Sequence, residues 1–184
     1  MILPIYAYGS PVLRKKGADI TPDYPELKEL LINMYETMYD SHGIGLAAPQ
    51  IGLPIRVFIV DGSPIDDIEP AGFRQTFINP QIIKEWGDPW KYEEGCLSIP
   101  TIRENVYRRP ELTIRYLDEN FVEHEQSFSG MAARIIQHEY DHIEGKLFVD
   151  MISPLKRNLI KGKLANISAG RVEHDYKMRF PVKK

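Results

Sequence analysis

Apolar residues recur at helical spacing in three stretches of the chain, and between them they run together or alternate in short segments. Leu27, Leu30, Leu31, Met34 and Met38 follow the i, i+3, i+4 rule and predict a first helix. Asp23 and Glu26 form an approximate capping box before it, and Gly43 is its expected end. A second run starts near Ser129, a candidate N-cap, and stops at Gly145, a candidate C′ glycine, which predicts a helix of about four turns. Leu155, Leu159, Ile160, Leu164 and Ile167 predict a third, despite Gly162. Ile55 to Val60 reads as a buried strand, and Thr76-Phe77-Ile78 and Ile82-Ile83 read as short strands broken by a turn at Asn79-Pro80. Glu94 to Ile99 is strand-like, and Glu111–Leu117 with Phe121–Phe128 forms a hairpin joined by Asp118-Glu119-Asn120. Asp61 to Gly72 reads as a surface loop and Trp86 to Trp90 as a turn; the apolar start, Ile2 to Tyr8, carries no evident chemistry. The expected fold is α+β, with small antiparallel β-sheets packed around the central helix at 129–145, an N-terminal helix and a C-terminal helix. Residues 1–168 are expected to form a single domain that includes the C-terminal helix from about 153, followed by a basic tail at 169–184.

At 184 residues, 43% hydrophobic and 27% charged, the chain is long enough for one well-buried core. No apolar run approaches the ~20 residues that span a bilayer, and Met1-Ile2-Leu3-Pro4-Ile5 lacks a basic segment followed by an apolar one. A soluble, cytoplasmic protein is therefore expected. Its one cysteine, Cys96, excludes an intrachain disulfide and suits a reducing compartment. Charge is unevenly placed: residues 151–184 hold nine Lys or Arg against two acids, a net of +7 on a body of −10. A basic helix of this kind is either a solvated face or a contact for a polyanion such as ribosomal RNA.

The chemistry concentrates in the second helix. In Gln137-His138-Glu139-Tyr140-Asp141-His142 the histidines lie at i and i+4, stacked on one face about 6 Å apart along the axis. That separation suits two imidazoles converging on one cation, and Glu139 projects at the neighbouring angle, beside a ligand water rather than as a ligand. Taken alone, the pattern also fits a helix with two incidental histidines. Cys96, next to Gly95 on a strand, supplies a third soft donor; a Cys-His-His set leaves one tetrahedral position open, which is a catalytic count rather than a structural one. Gly43 to Gln50 holds two glycines and two alanines that let backbone approach a partner closely, although such a run also suits a tight, closely packed turn. It is not a dinucleotide fingerprint, because it follows a helix and Ala48 stands where a third glycine belongs. Glu139 would then serve as general base, with the Gln50 amide and the Leu97 N–H as an oxyanion hole.

Gly43-Ile44-Gly45-Leu46-Ala47-Ala48-Pro49-Gln50, Glu94-Gly95-Cys96-Leu97-Ser98 and Gln137-His138-Glu139-Tyr140-Asp141-His142 together resemble the three signature motifs of the peptide deformylases, complete and in that family's order. The similarity runs from the N-terminus to about Leu164, and Arg171 to Lys184 matches nothing in it. The resemblance implies hydrolysis of the formyl group from the N-terminal formylmethionine of nascent polypeptides. It implies that Cys96, His138 and His142 hold one divalent metal ion, natively Fe(II), with Zn, Ni or Co as substitutes, and that Glu139, Gln50 and Leu97 are catalytic. Gly43, Ile44, Gly45, Glu94, Gly95, Arg103 and Ile135 are implied as substrate-binding residues, with Ile44, Arg103 and Ile135 bordering the methionine side chain. Two alternatives are a zinc-type endopeptidase, whose third ligand would have to be His174, and a non-catalytic metal-binding protein of the same fold. A purely structural site needs neither Glu139 nor Gln50.

Overall fold

The computed structural model describes residues 1–181. In chain order the elements are β1 (Ile5–Tyr6), α1 (Leu27–Asp40), β2 (Gly45–Ala47), β3 (Val57–Asp61), β4 (Arg74–Trp86), β5 (Trp90–Cys96), β6 (Ile99–Arg108), β7 (Glu111–Leu117), β8 (Glu123–Ser129), α2 (Gly130–Ile143), α3 (Pro154–Ser168) and β9 (Met178–Arg179). β2-β3-β4-β7-β8 form an antiparallel sheet, β5 and β6 an antiparallel hairpin, and β1 pairs with β9 in parallel. Three helices and mainly antiparallel sheets give the expected α+β class.

β3 is apolar along nearly its whole length because both its faces are covered. Phe58 and Val60 pack with Ala132, Ala133, Ile135 and Ile136 of α2, whereas Val57 and Ile59 pack with Leu31, Met34 and Met38 of α1. Side chains that alternate across a strand here find a helix on each side, so the period-2 signal of a half-exposed strand is lost. Phe58 stacks on Phe77 with ring centroids 4.7 Å apart, and Phe77 meets Tyr116 at 4.5 Å. A third cluster joins Ile99, Ile102 and Val106 of β6 to Ile160, Leu164 and Ile167 of α3. α2 therefore lies between the five-stranded sheet and the β5-β6 hairpin, the position from which it can present one stripe of side chains to a site.

Several expectations are corrected. The capping box at Asp23 does not form: Asp23 accepts from the Thr21 hydroxyl, and α1 begins after Glu26, which takes a left-handed φ of 54°. Pro25 restricts the residue before it to extended backbone, which delays the helix. α1 ends at Asp40, ahead of Gly43, because His42 adopts φ 57° and the Gly43 N–H closes on Met38 O at 2.9 Å. Asn79-Pro80 does not break β4. It forms a bulge in one continuous strand, with a register shift between Ile78 and Gln81 and Asn79 at φ 48°. A bulge is where a strand accommodates a residue that lacks an N–H. Asn79 also clamps the N-terminal segment, accepting from Ile20 N at 2.9 Å and donating to Ile20 O at 2.8 Å. The small-residue run after α1 includes a strand, β2, followed by a 3-10 turn at Ala48–Ile51. Ser129 takes the N-cap position of α2 with extended backbone, yet its side chain makes no capping bond. Gly145 holds φ 72°, and a Cβ there would come within 2.6 Å of Arg14 O, so both torsion and space call for glycine.

Ser153 caps α3 by accepting from Lys156 N at 3.3 Å. Of its five apolar positions, Ile160, Leu164 and Ile167 are buried, while Leu155 and Leu159 are about 70% exposed (70% and 71%). Residues 171–180, for which the sequence pattern suggested no structure, fold back toward the N-terminus, with Ile5 opposite Met178 and Tyr6 opposite Arg179. Lys183 and Lys184 of the basic tail lie outside the described residues. Among the described residues, no helix is long and apolar enough to cross a membrane.

Candidate active site

Arg134, His138 and His142 follow one another at i, i+4 and i+8 on the stripe of α2 that faces the β5-β6 hairpin. Cys96 closes β5, immediately before the Leu97-Ser98 turn that leads into β6. Fold and helix together bring Cys96 Sγ to 3.3 Å from His142 Nε2, and one donor atom each from Cys96, His138 and His142 lies within 4.8 Å of the others. Tetrahedral coordination with metal–sulfur and metal–nitrogen bonds of about 2.3 and 2.0–2.1 Å puts such donors about 3.5 Å apart. His138 uses Nδ1 to donate to Glu94 Oε1 at 2.8 Å, which leaves Nε2 for a metal. His142 is buried and its own positive form is disfavoured first by burial and then by His138, so it is the neutral imidazole that ligation requires. Burial also opposes charge on His138, but hydrogen bonds to Cys96 and Glu94 outweigh it and raise that group to about 10.

Glu94 is the anchor of this arrangement, its side chain turned inward from the strand edge that borders the cavity. The carboxylate is buried and accepts from Arg108 Nε at 2.7 Å and Nη2 at 2.9 Å, from Arg134 Nη1 at 2.6 Å and from His138 Nδ1. Burial alone would raise its pKa; His138 and Arg108 reverse that and hold the carboxyl far below the usual range. Arg108 reaches on to Asp141 Oδ2 at 2.8 Å, and Arg134 donates to Trp90 O at 2.7 Å while lying over the Trp90 ring. Arg108, Arg134 and Asp141 were missed in the sequence. A charged side chain on the inward stripe of an apolar helix, Arg134 four residues before His138, was the available signal.

On the open side of the cluster, Glu139 is buried and its Oε2 has no hydrogen-bond partner among the described residues. Burial pushes its pKa up to about 7, the range of a group that takes and gives a proton near neutrality. Gly45 is glycine for a steric reason: a Cβ there would lie 2.7 Å from Glu139 Cδ. Gln50 is oriented by accepting from Ala47 N at 3.0 Å through Oε1, which turns Nε2 toward Cys96 Sγ at 3.5 Å and Ser98 Oγ at 3.2 Å. A cavity of about 620 Å³ opens over these groups. It is lined by every residue expected at the site except His142. Arg103 is held at its rim by Glu93 at 2.9 Å, and Ile44 and Ile135 supply apolar wall. Tyr176, also missed, lines the same cavity from the C-terminal segment.

A His-Glu-x-x-His helix with a strand cysteine beside it and a buried carboxylate facing an open cavity is the arrangement of a metal-dependent hydrolase. The family model described as polypeptide deformylase matches residues 2–158. The peptide deformylase of Christiangramia forsetii is 57% identical over 193 residues, covering 100% of this chain and 98% of that protein. That of Cytophaga hutchinsonii is 54% identical over 184 residues, with 100% of both covered. Among solved structures, a peptide deformylase from Legionella pneumophila superposes with a TM-score of 0.82 at 35% identity, over 95% of this chain and 100% of that one. The chain belongs to the polypeptide deformylase family and is a hydrolase that removes the formyl group from an N-terminal methionine.

Proposed function

We propose that Cys96, His138 and His142 hold one divalent ion, natively Fe(II) with Zn, Ni or Co as substitutes, and that Glu139, Gln50 and Leu97 carry the deformylation. When bound, the ion supplies Lewis-acid polarisation of the formyl carbonyl and makes water acidic enough to lose a proton near neutral pH. The chain's own contribution begins with Glu139, which takes a proton from the attacking water and passes it to the departing amine as the formamide C–N bond breaks; the products are formate and a free amino terminus. Gln50 Nε2 and the Leu97 N–H donate to the oxyanion that develops on the carbonyl oxygen. The Leu97 N–H finds no acceptor among the described residues, which leaves it available. Ile44, Arg103 and Ile135 border the methionine side chain, and the backbone of Gly43 to Gly45 and of Glu94 to Gly95 aligns the peptide. The observation that carries this reading is the enclosed Glu139 carboxylate beside the Cys-His-His cluster, with an oriented amide across from it. His174, the third ligand an endopeptidase reading would need, lies outside that cluster. Anaerobic assay of formyl-Met-Ala-Ser, acetyl-Met-Ala-Ser and the unblocked peptide, with Fe(II) or Ni(II), tests it. Hydrolysis of the formyl peptide alone is expected; cleavage of an internal bond, or no turnover by metal-loaded protein, refutes it.

The basic C-terminal helix adds a location. Lys161 and Lys163 are exposed beside Leu155 and Leu159, and the +7 segment on an acidic body gives the molecule a polar field. In a cytoplasmic enzyme of nascent chains, the polyanion this face meets is ribosomal RNA. Charge reversal of Lys156, Arg157, Lys161 and Lys163 should leave hydrolysis of a short formyl peptide intact and reduce co-sedimentation with ribosomes at low salt. Equal pelleting of variant and wild type refutes the docking.

A further inference from the structure

The turn Leu97-Ser98 carries the N–H assigned above to the oxyanion, and three separate parts of the chain hold it. From the N-terminal side, Tyr8 N donates to Ser98 O at 2.8 Å. From the 3-10 turn after β2, Gln50 Nε2 donates to Ser98 Oγ at 3.2 Å. The third hold comes from the C-terminal segment: Tyr176 donates its hydroxyl to Leu97 O at 2.7 Å. This segment lies outside the region matched by the family model.

Tyr176 is itself fixed at both ends of its segment. On one side, Ile5 N donates to Lys177 O and Ala7 N to Arg179 O, both at 2.9 Å, so that β9 is stitched to β1. On the other, Arg171 N donates to Asn166 O at 2.8 Å after Gly170 turns the chain at φ 74°. His174 stacks against Phe180 with centroids 5.4 Å apart, closing the loop between the two anchors. Glu173, His174, Asp175 and Tyr176 consequently form one wall of the active-site cavity. A carbonyl gripped at 2.7 Å restricts ψ of Leu97, and with it the direction of the adjoining peptide plane whose N–H must meet the oxyanion. Oxyanion donors act through preorganisation, so slack in this turn lowers turnover more than it weakens ground-state binding.

We propose that the C-terminal segment is part of the catalytic architecture and that Tyr176 is a positioning residue, holding the Leu97 carbonyl so that the Leu97 N–H, on the preceding peptide across the same Cα, is aimed at the substrate oxyanion. This rests on the role given above to Leu97. Tyr176→Phe keeps the ring and removes only the hydroxyl. The deformylation kcat on formyl-Met-Ala-Ser should fall about 3- to 10-fold, the worth of one hydrogen bond. KM should stay within error, as should the absorption spectrum of the Co(II)-loaded protein, because no ligand is touched. In the Zn-loaded protein the Leu97 carbonyl 13C resonance should move, a readout that needs no turnover and that separates this contact from the deformylase reading itself. Kinetics are compared at a temperature where near-ultraviolet circular dichroism shows both proteins folded. A shifted carbonyl with lowered kcat and constant KM supports the proposal; unchanged kcat, a rise confined to KM, or an unmoved Leu97 carbonyl overturns it.

Discussion

Replacing Glu94 by Gln tests the buried network behind the proposed metal ligands. The wild-type carboxylate accepts four hydrogen bonds, two from Arg108 and one each from Arg134 and His138, and all the donors are N–H groups. A glutamine keeps one oxygen but turns an NH₂ toward donors that already point at it. It also removes the negative charge between two arginines that are 6% and 2% exposed, so solvent screening offers little relief. Breaking a buried ion pair from one side costs about 3–5 kcal/mol. For a domain of this size that corresponds to a fall in Tm of about 6 to 20 °C. Freed of its partner, the His138 ring loses orientation and metal affinity should drop about 10- to 100-fold. The sign of the pH dependence follows from the depressed carboxyl. Its stabilisation is fully present above the ordinary carboxylate pKa of about 4.3 and is lost as pH falls below that toward the folded value, so the variant should lack this acid limb. Calorimetry from pH 3 to 7 measures the first effect and chelator competition the second. Wild-type melting together with wild-type metal affinity would refute the anchoring role.

Three further substitutions separate the remaining roles. Glu139→Gln should keep its metal and lose about 10²- to 10⁴-fold in kcat, measured on formyl-Met-Ala-Ser with metal content checked in the same sample. Gln50→Leu should lower kcat by about 10²-fold, since it deletes an oriented donor; a change confined to KM would assign Gln50 to substrate binding instead. Cys96→Ser exchanges a soft thiolate for a harder oxygen, so metal affinity should fall and the charge-transfer band of the Co(II) protein should disappear, whereas an unchanged spectrum would remove Cys96 from the ligand set.

The local chemistry of the site was legible in the chain itself because it depends on spacing within one element or on one residue type. An i, i+4 pair of histidines faces one way on any helix, Glu139 follows from the same geometry, and a solitary cysteine next to a glycine needed only to meet them. Gly45 was readable as a place of close approach, although only the fold shows that the Glu139 carboxylate is what approaches it. The three helices were legible for the same reason: each keeps a 3.6-residue period against one core. β4 was not, because Asn79 and Pro80 carry a turn signature that the surrounding sheet and the Ile20 clamp convert into a bulge. Nor was the function of Glu94, which is set by Arg108, 14 positions away across the β5-β6 hairpin, and by Arg134, 40 positions away, which meets it only after the hairpin packs on α2. The segment around Tyr176 lies further still, 79 positions from the carbonyl it holds. Its two-residue strand shows no periodicity, and its place against the site comes from backbone pairing with β1, an interaction that side-chain pattern does not encode.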